Sequence, residues 1–148
     1  SKIYLPAAQK AGAPPAAEPA QPELRGGNET ILLVEDEDQL RSLIQLSLQK
    51  RGYTLLTARR GNEAMALVEA RPEPIDLLLT DVVMPEMSGR VLAEQLTARQ
   101  PGLRVLYISG YTNDAVVRHG LLTAEVEFLS KPFSPTALTA KVRQVLDK

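Results

Sequence analysis

Four acidic residues in a row, Glu35, Asp36, Glu37 and Asp38, follow directly on the apolar run Ile31-Leu32-Leu33-Val34. Asp81 closes a second apolar run, Ser109 a third, and Lys131 stands just past a fourth. A carboxylate can act as a nucleophile and form an acyl phosphate. Carboxylates brought close together repel, and a divalent cation relieves the repulsion. With oxygen ligands alone the favoured ion is magnesium, which also neutralises the oxygens of an incoming phosphoryl group. A serine hydroxyl can donate a hydrogen bond to one phosphoryl oxygen. A lysine can pair with another, or with the carboxylate before reaction. Each residue also has an ordinary explanation: acidic runs often cap helices, and Asp38 suits the cap of a helix that begins there. Ordinary roles do not explain why each group falls at the end of a different strand.

The strands follow from short apolar runs and the helices from 3.6-residue spacing. Ile31–Val34 is too short for a helix and suits a buried strand. Leu40, Leu43, Ile44 and Leu48 then mark the inward face of a helix closed by Gly52. Tyr53 to Ala58 reads as a strand, followed by a helix opened by Gly61 and Asn62 with Ala64, Leu67 and Val68 inward. Ile75 to Leu79 is a third strand, running into Thr80-Asp81. A helix over Ser88 to Gln100 turns Leu92 and Leu96 inward. Leu103 to Ile108 and Val126 to Leu129 are the last two strands, separated by a short helix over Asp114 to His119. Ser134 caps the final helix, with Pro135 at its first position and Leu138, Val142, Val145 and Leu146 inward. Five such units make (βα)5. Continuous apolar strands are buried on both faces, so the expected fold is α/β: a doubly wound, five-stranded parallel sheet. Ligands of such sheets bind at the carboxyl ends of the strands, where the acids, Ser109 and Lys131 collect.

Composition narrows the function classes. The 148 residues carry a formal net charge of -1, which gives no electrostatic case for nucleic-acid binding. There is no cysteine and one histidine, which excludes disulfides, thiolate metal sites and multi-histidine metal sites. No apolar run approaches the roughly 18 residues of a membrane span, and Ser1 to Pro6 does not read as a signal peptide. No contact of these residues with a membrane is expected. A cysteine-free chain is compatible with a cytoplasmic location.

The combination Leu33-Val34-Glu35-Asp36, Thr80-Asp81-Val82-Val83-Met84-Pro85-Glu86-Met87-Ser88-Gly89, Ile108-Ser109-Gly110 and Lys131-Pro132-Phe133 closely resembles the receiver domains of two-component response regulators. The resemblance implies a flavodoxin-like receiver fold. It implies that Glu35 and Asp36 hold Mg2+, and that Asp81 is both metal ligand and phosphoacceptor. The backbone carbonyl of Val83 completes the protein's share of the metal shell. Ser109 is then the switch hydroxyl and Lys131 the family's lysine. The aromatic switch position falls on Phe128, which can rotate but has no hydroxyl to donate outward. The implied phosphodonor is a histidine kinase or a histidine phosphotransfer domain, and the implied outcome is a phosphoaspartate that later hydrolyses. The parent chain can be a kinase, but the receiver itself turns nothing over beyond its own phosphorylation and dephosphorylation. A weak homodimer is compatible with this class. His119, in the last turn of its short helix, suits the helix dipole better than a phosphorelay role.

The start of the chain adds context. Lys2-Ile3-Tyr4-Leu5-Pro6 looks like the last strand of a histidine-kinase ATP-binding domain, and proline and alanine predominate from Pro6 to Pro22. The expected organisation is a kinase-strand remnant over 1–6, an extended linker over 7–29 and a receiver over 30–148. This order is similar to that of hybrid sensor histidine kinases, whose kinase can be membrane-anchored; the alternative is a stand-alone regulator. A rival of another class is a phosphohydrolase of the haloacid dehalogenase type. It needs a general acid two residues past the nucleophile, where this chain has Val83.

Overall fold

The computed structural model describes residues 26–84, 86–110 and 127–148. Five strands and, among the described residues, four helices alternate along the chain. They run β1 (Thr30–Val34), α1 (Asp38–Gln49), β2 (Thr54–Ala58), α2 (Gly61–Glu69), β3 (Leu77–Asp81), α3 (Gly89–Arg99), β4 (Arg104–Ser109), β5 (Glu127–Ser130) and α4 (Pro135–Leu146). All four strand pairings are parallel, in the order β2-β1-β3-β4-β5. The doubly wound parallel sheet expected from the apolar runs is therefore the observed fold. The expected kinase-strand remnant at 1–6, most of the linker, Pro85, the Asp114–His119 helix with His119, and Val126 lie outside the described residues.

Strand period explains why these runs are continuously apolar. Ile31 and Leu33 of β1 and Leu77 and Leu79 of β3 face one layer, with Ile44 and Leu48 of α1 and Leu138, Val142, Val145 and Leu146 of α4. Leu32 and Val34 of β1 and Leu78 of β3 face the other, with Ala64 of α2 and Leu92, Ala93 and Leu96 of α3. Every residue of β3 is buried. Alternating side chains thus serve two cores, and in the central strand β3 no polar residue appears until Thr80 and Asp81 at its carboxyl end.

Several local expectations need correction. Leu43 is 46% exposed, because α1 packs through the narrower stripe of Leu40, Ile44 and Leu48. Asp38 does not cap α1: the cap position is Glu37, without a side-chain cap bond, and Asp38 is the first helical residue. There its charge still favours the helix dipole. β3 begins at Leu77 rather than Ile75. The Gln100 side-chain amide takes the place of a strand neighbour for Ile75, accepting from its N–H at 3.1 Å and donating to its carbonyl. Gly52 lies past the C-cap Lys50 with φ +98°, a left-handed turn that glycine adopts without strain. Ser134 caps α4 as expected, accepting from the Ala137 amide at 3.0 Å, and Ser88, expected inside its helix, instead caps α3 by accepting from the Val91 amide at 3.2 Å.

At the amino edge of the sheet Arg143 of α4 ties the chain's entry to its end. Its guanidinium donates to Glu29 Oε2 at 2.7 Å, the Gly26 carbonyl at 3.1 Å, the Tyr53 hydroxyl at 3.4 Å and Asp147 Oδ1 at 3.1 Å. The hydrogen bond from Arg143 holds the Glu29 carboxyl below its usual range. Arg143→Met strands Glu29 and the buried Tyr53 hydroxyl, and is expected to cost about 2 kcal/mol in urea unfolding. Glu29 has a lowered folded pKa, so its share of stability is present above pH 4.5 and lost as pH falls through the folded value. Arg143→Met should therefore show a shallower acid decline than the wild type.

Candidate functional site

The strand order reverses between β1 and β3: the chain leaves β1 toward β2 on one side and returns to β3 on the other. A crevice opens at the carboxyl ends of strands flanking such a reversal. Glu35 and Asp36 follow β1 directly, and Asp81 is the last residue of β3. A carboxylate oxygen from each of the three lies within 4.8 Å of those from the other two. Glu35 is fully buried and Asp81 is 5% exposed, while Asp36 is open to solvent.

Lys131, just past β5, reaches into this group. Its Nζ stands 3.5 Å from Asp81 Oδ1 and 3.7 Å from Glu35 Oε1. Its backbone N–H donates to the Ser109 carbonyl at 2.8 Å, so β4 carries the lysine into position. Lys131 therefore faces two carboxylates of a three-carboxylate cluster. Burial, and then the Glu35 carboxyl beside it, push the Asp81 pKa up to about 8, with Lys131 opposing. Burial alone would lower the pKa of Lys131, but the Asp81 and Glu35 carboxylates raise it.

The pocket's backbone is tightly specified. The Gly89 N–H donates to the Val82 carbonyl at 2.8 Å, and a Cβ on Gly89 would overlap the Asp81 carbonyl oxygen. The buried Thr80 hydroxyl donates to that carbonyl at 3.0 Å, and the Val82 N–H to the Ile108 carbonyl at 3.1 Å. Glu86 holds a left-handed φ of +73°, the sharp turn that returns the chain to α3. Val83 has a hydrocarbon side chain with no proton to transfer, so nothing at that position can act as a general acid toward a group on Asp81.

Ser109 and Phe128 are carried by β4 and β5. Ser109 ends β4 fully buried, with its hydroxyl 3.5 Å from the Gly110 carbonyl, paired in register with Ser130. Phe128 is half-buried on β5 opposite Tyr107, packed on the α2–α3 side of the sheet. Arg41 has no place in the sequence reading, yet its guanidinium donates to the Glu35 carbonyl at 3.0 Å and to Asp38 Oδ1 at 2.6 Å. The i, i+3 spacing of Asp38 and Arg41 was the available signal. The contact with the Glu35 carbonyl depends on the turn and leaves no trace in spacing.

Whether the acids suit a metal can be judged from Glu35. Its Oε2 accepts from the Glu37 N–H at 3.0 Å, while Oε1 is buried and has no hydrogen-bond partner. A buried carboxylate oxygen without a donor is costly, and a hard cation held by oxygen ligands satisfies it. Two further carboxylates within reach make the set suitable for Mg2+.

Fold and pocket together define a class: a flavodoxin-like α/β domain with an acidic, lysine-bearing crevice where its strand order reverses. Within that class the chain belongs to the response regulator receiver domain family, which matches residues 31–143. It is 41% identical over 122 residues to the sensor kinase CckA of Brucella abortus, covering 82% of this chain and 13% of that protein. It is 35% identical over 116 residues to the response regulator receiver protein CpdR of the same organism, covering 78% of this chain and 95% of that one. The crystal structure of the receiver domain from the hybrid histidine kinase CckA superposes with a TM-score of 0.66 at 37% identity, over 79% of this chain and 98% of that one. Receiver domains generally bind Mg2+ at an acidic pocket and take phosphoryl groups from histidine kinases or phosphotransfer proteins. Among the described residues no helix is long and apolar enough to cross a membrane.

Proposed function

We propose that Asp81 accepts a phosphoryl group from a phosphohistidine on a histidine kinase or histidine phosphotransfer domain. The observation that carries this reading is the convergence of Glu35, Asp36, Asp81 and Lys131 at the strand-order reversal. An Asp81 carboxylate oxygen attacks phosphorus, the P–N bond breaks, and its electron pair stays on the histidine nitrogen. Lys131, within 3.5 Å of Asp81, orients the carboxylate and then pairs with a phosphoryl oxygen. Magnesium held by Glu35, Asp36, Asp81 and the Val83 carbonyl would neutralise charge on the phosphoryl oxygens. The new group carries close to two negative charges. Ser109 answers by turning its hydroxyl from the Gly110 carbonyl toward a phosphoryl oxygen, and Phe128 follows by rotation.

The identity to a sensor kinase over 82% of this chain supports a place as the receiver of a hybrid histidine kinase. In that reading residues 1–6 end the kinase's ATP-binding domain, 7–29 are the linker and 30–148 the receiver, working in the cytoplasm. The similarity to CpdR over nearly all of that protein's length favours the second reading, a stand-alone regulator. The full reading frame distinguishes the two. The phosphoacceptor assignment is tested by incubating the chain with acetyl phosphate and Mg2+ and measuring intact mass. One phosphoryl group is expected on the wild type and none on Asp81→Asn. Equal labelling of both would sink the assignment, and multiple turnover of phosphate esters would revive a phosphohydrolase.

A further inference from the structure

Arg41 is 18% exposed and stands on the first full turn of α1, outside the acidic cluster but in contact with the loop that presents it. One arm, Nη1, donates to the backbone carbonyl of Glu35 at 3.0 Å. The other, Nη2, donates to Asp38 Oδ1 at 2.6 Å. The rest of the 35–38 loop is held by the Glu35 N–H on the Ala58 carbonyl at 3.0 Å and the Glu37 N–H on Glu35 Oε2 at 3.0 Å. Four consecutive acids leave β1, and three-carboxylate convergence uses two of them with Asp81. Asp38 is drawn away to Arg41 and, at 3.7 Å, to Arg59.

We infer that Arg41 is a positioning residue for the metal-binding pair: one arm fixes the backbone of Glu35 and the other holds Asp38 away from the pocket. The inference rests on the reading of Glu35, Asp36 and Asp81 as a Mg2+ site. Its physical basis is that a side chain fixing a ligand's orientation governs affinity without touching the ion, with losses of about 10–100-fold when it is removed. Charge and geometry predict opposite signs here. Deleting a cation from the loop that presents the acidic cluster makes that region more negative, which by itself tightens Mg2+ binding. Weaker binding after deletion therefore reports lost geometry. Lysine cannot hold both acceptors with a rigid fork, so Arg41→Lys keeps the charge but loses the two-point grip.

The test is a Mg2+ titration of the full chain, by calorimetry and by amide chemical shifts, on wild type, Arg41→Met, Arg41→Lys and Arg59→Met. Hydrogen exchange in metal-free protein accompanies it. Arg41→Met is expected to bind about tenfold more weakly or worse, Arg41→Lys to fall between, and Arg59→Met to stay within about twofold. The Glu37 amide should exchange faster in Arg41→Met, while core amides such as Leu78 keep their protection. A fold-wide loss of protection would assign Arg41 a general structural role and overturn the inference, as would unchanged or tighter Mg2+ binding in both Arg41 variants. If Arg41→Met does not fold, Arg41→Lys decides alone on the same two readouts. Should wild type bind no Mg2+, or Asp81→Asn bind it equally well, the metal-site reading itself fails; wild-type binding with unaltered Arg41 variants fails the positioning role only.

Discussion

Gly89→Ala is expected to lower unfolding stability by about 3 kcal/mol in urea denaturation and to weaken Mg2+ binding together with it. The cause is a backbone contact. A methyl group at residue 89 would fall on the Asp81 carbonyl oxygen and crowd the Asp81 carbonyl carbon and Val82 Cα at 3.0 and 3.2 Å. None of these atoms is the end of a flexible side chain that can swing aside. Relief requires α3 to move away from β3, which breaks the Gly89 N–H bond to the Val82 carbonyl and loosens Leu92, Leu96 and Ala93 from their core. The alternative is a shift of the Asp81 peptide, which displaces the pocket directly. Gly61 makes a useful contrast. Its nearest neighbour is the Met87 sulfur at 2.7 Å, the mobile end of a side chain, so Gly61→Ala should cost less than about 1 kcal/mol. Similar losses at both positions would show that the close approach at Gly89 is not what α3 requires.

Much of this arrangement was legible from residues alone because two physical signals agree. A strand buried on both faces must be continuously apolar, so Ile31–Val34 and the run into Asp81 announced both the sheet and its central strands. In β1 and β3 the acidic residues come only where the apolar run ends, which singles out Glu35, Asp36 and Asp81, while Ser109 closes β4 and Lys131 follows β5. Contacts made by a side chain with another residue's backbone were not legible. Arg41 on the Glu35 carbonyl and Gln100 on Ile75 depend on how two loops meet. Periodicity was too coarse for Leu43, which lies one position from Ile44 and yet is nearly half exposed. Asp38 illustrates competition: its type favours a helix cap, but a guanidinium one turn on takes the carboxylate instead. The turn of the Ser109 hydroxyl toward the Gly110 carbonyl belongs to the same class, since spacing assigns a residue to a strand end without setting the direction of its hydroxyl.

Asp81→Asn is expected to raise the stability of the metal-free protein, by about 2 kcal/mol near pH 8, or roughly 6 °C in Tm. In the wild type Lys131 pairs with both Glu35 and Asp81 while Asp36 adds a third carboxylate beside them, so the pocket holds excess negative charge at a largely buried pair. Asparagine is nearly isosteric with aspartate and removes one of those charges, leaving Lys131 to Glu35. The pH dependence fixes the sign. The folded pKa of Asp81 lies above its ordinary value of 3.8, at about 8, because burial and Glu35 disfavour the charged form. A raised folded pKa makes a favourable contribution that is fully present below the unfolded value and lost as pH climbs through the folded one. The wild type should therefore lose stability relative to Asp81→Asn across about pH 4 to 8, and the gap should level off above that. Mg2+ binds the ionised set, so at pH 8 it should raise the wild-type Tm and narrow the gap, with a much smaller effect on Asp81→Asn. Thermal melts at pH 5 and pH 8, with and without Mg2+, check each part separately. A gap that is constant with pH, or that Mg2+ does not narrow, would mean that the carboxylates of this pocket are not the source of its instability. The expected pattern identifies the strain of the metal-free pocket with the charge that the proposed chemistry requires at Asp81.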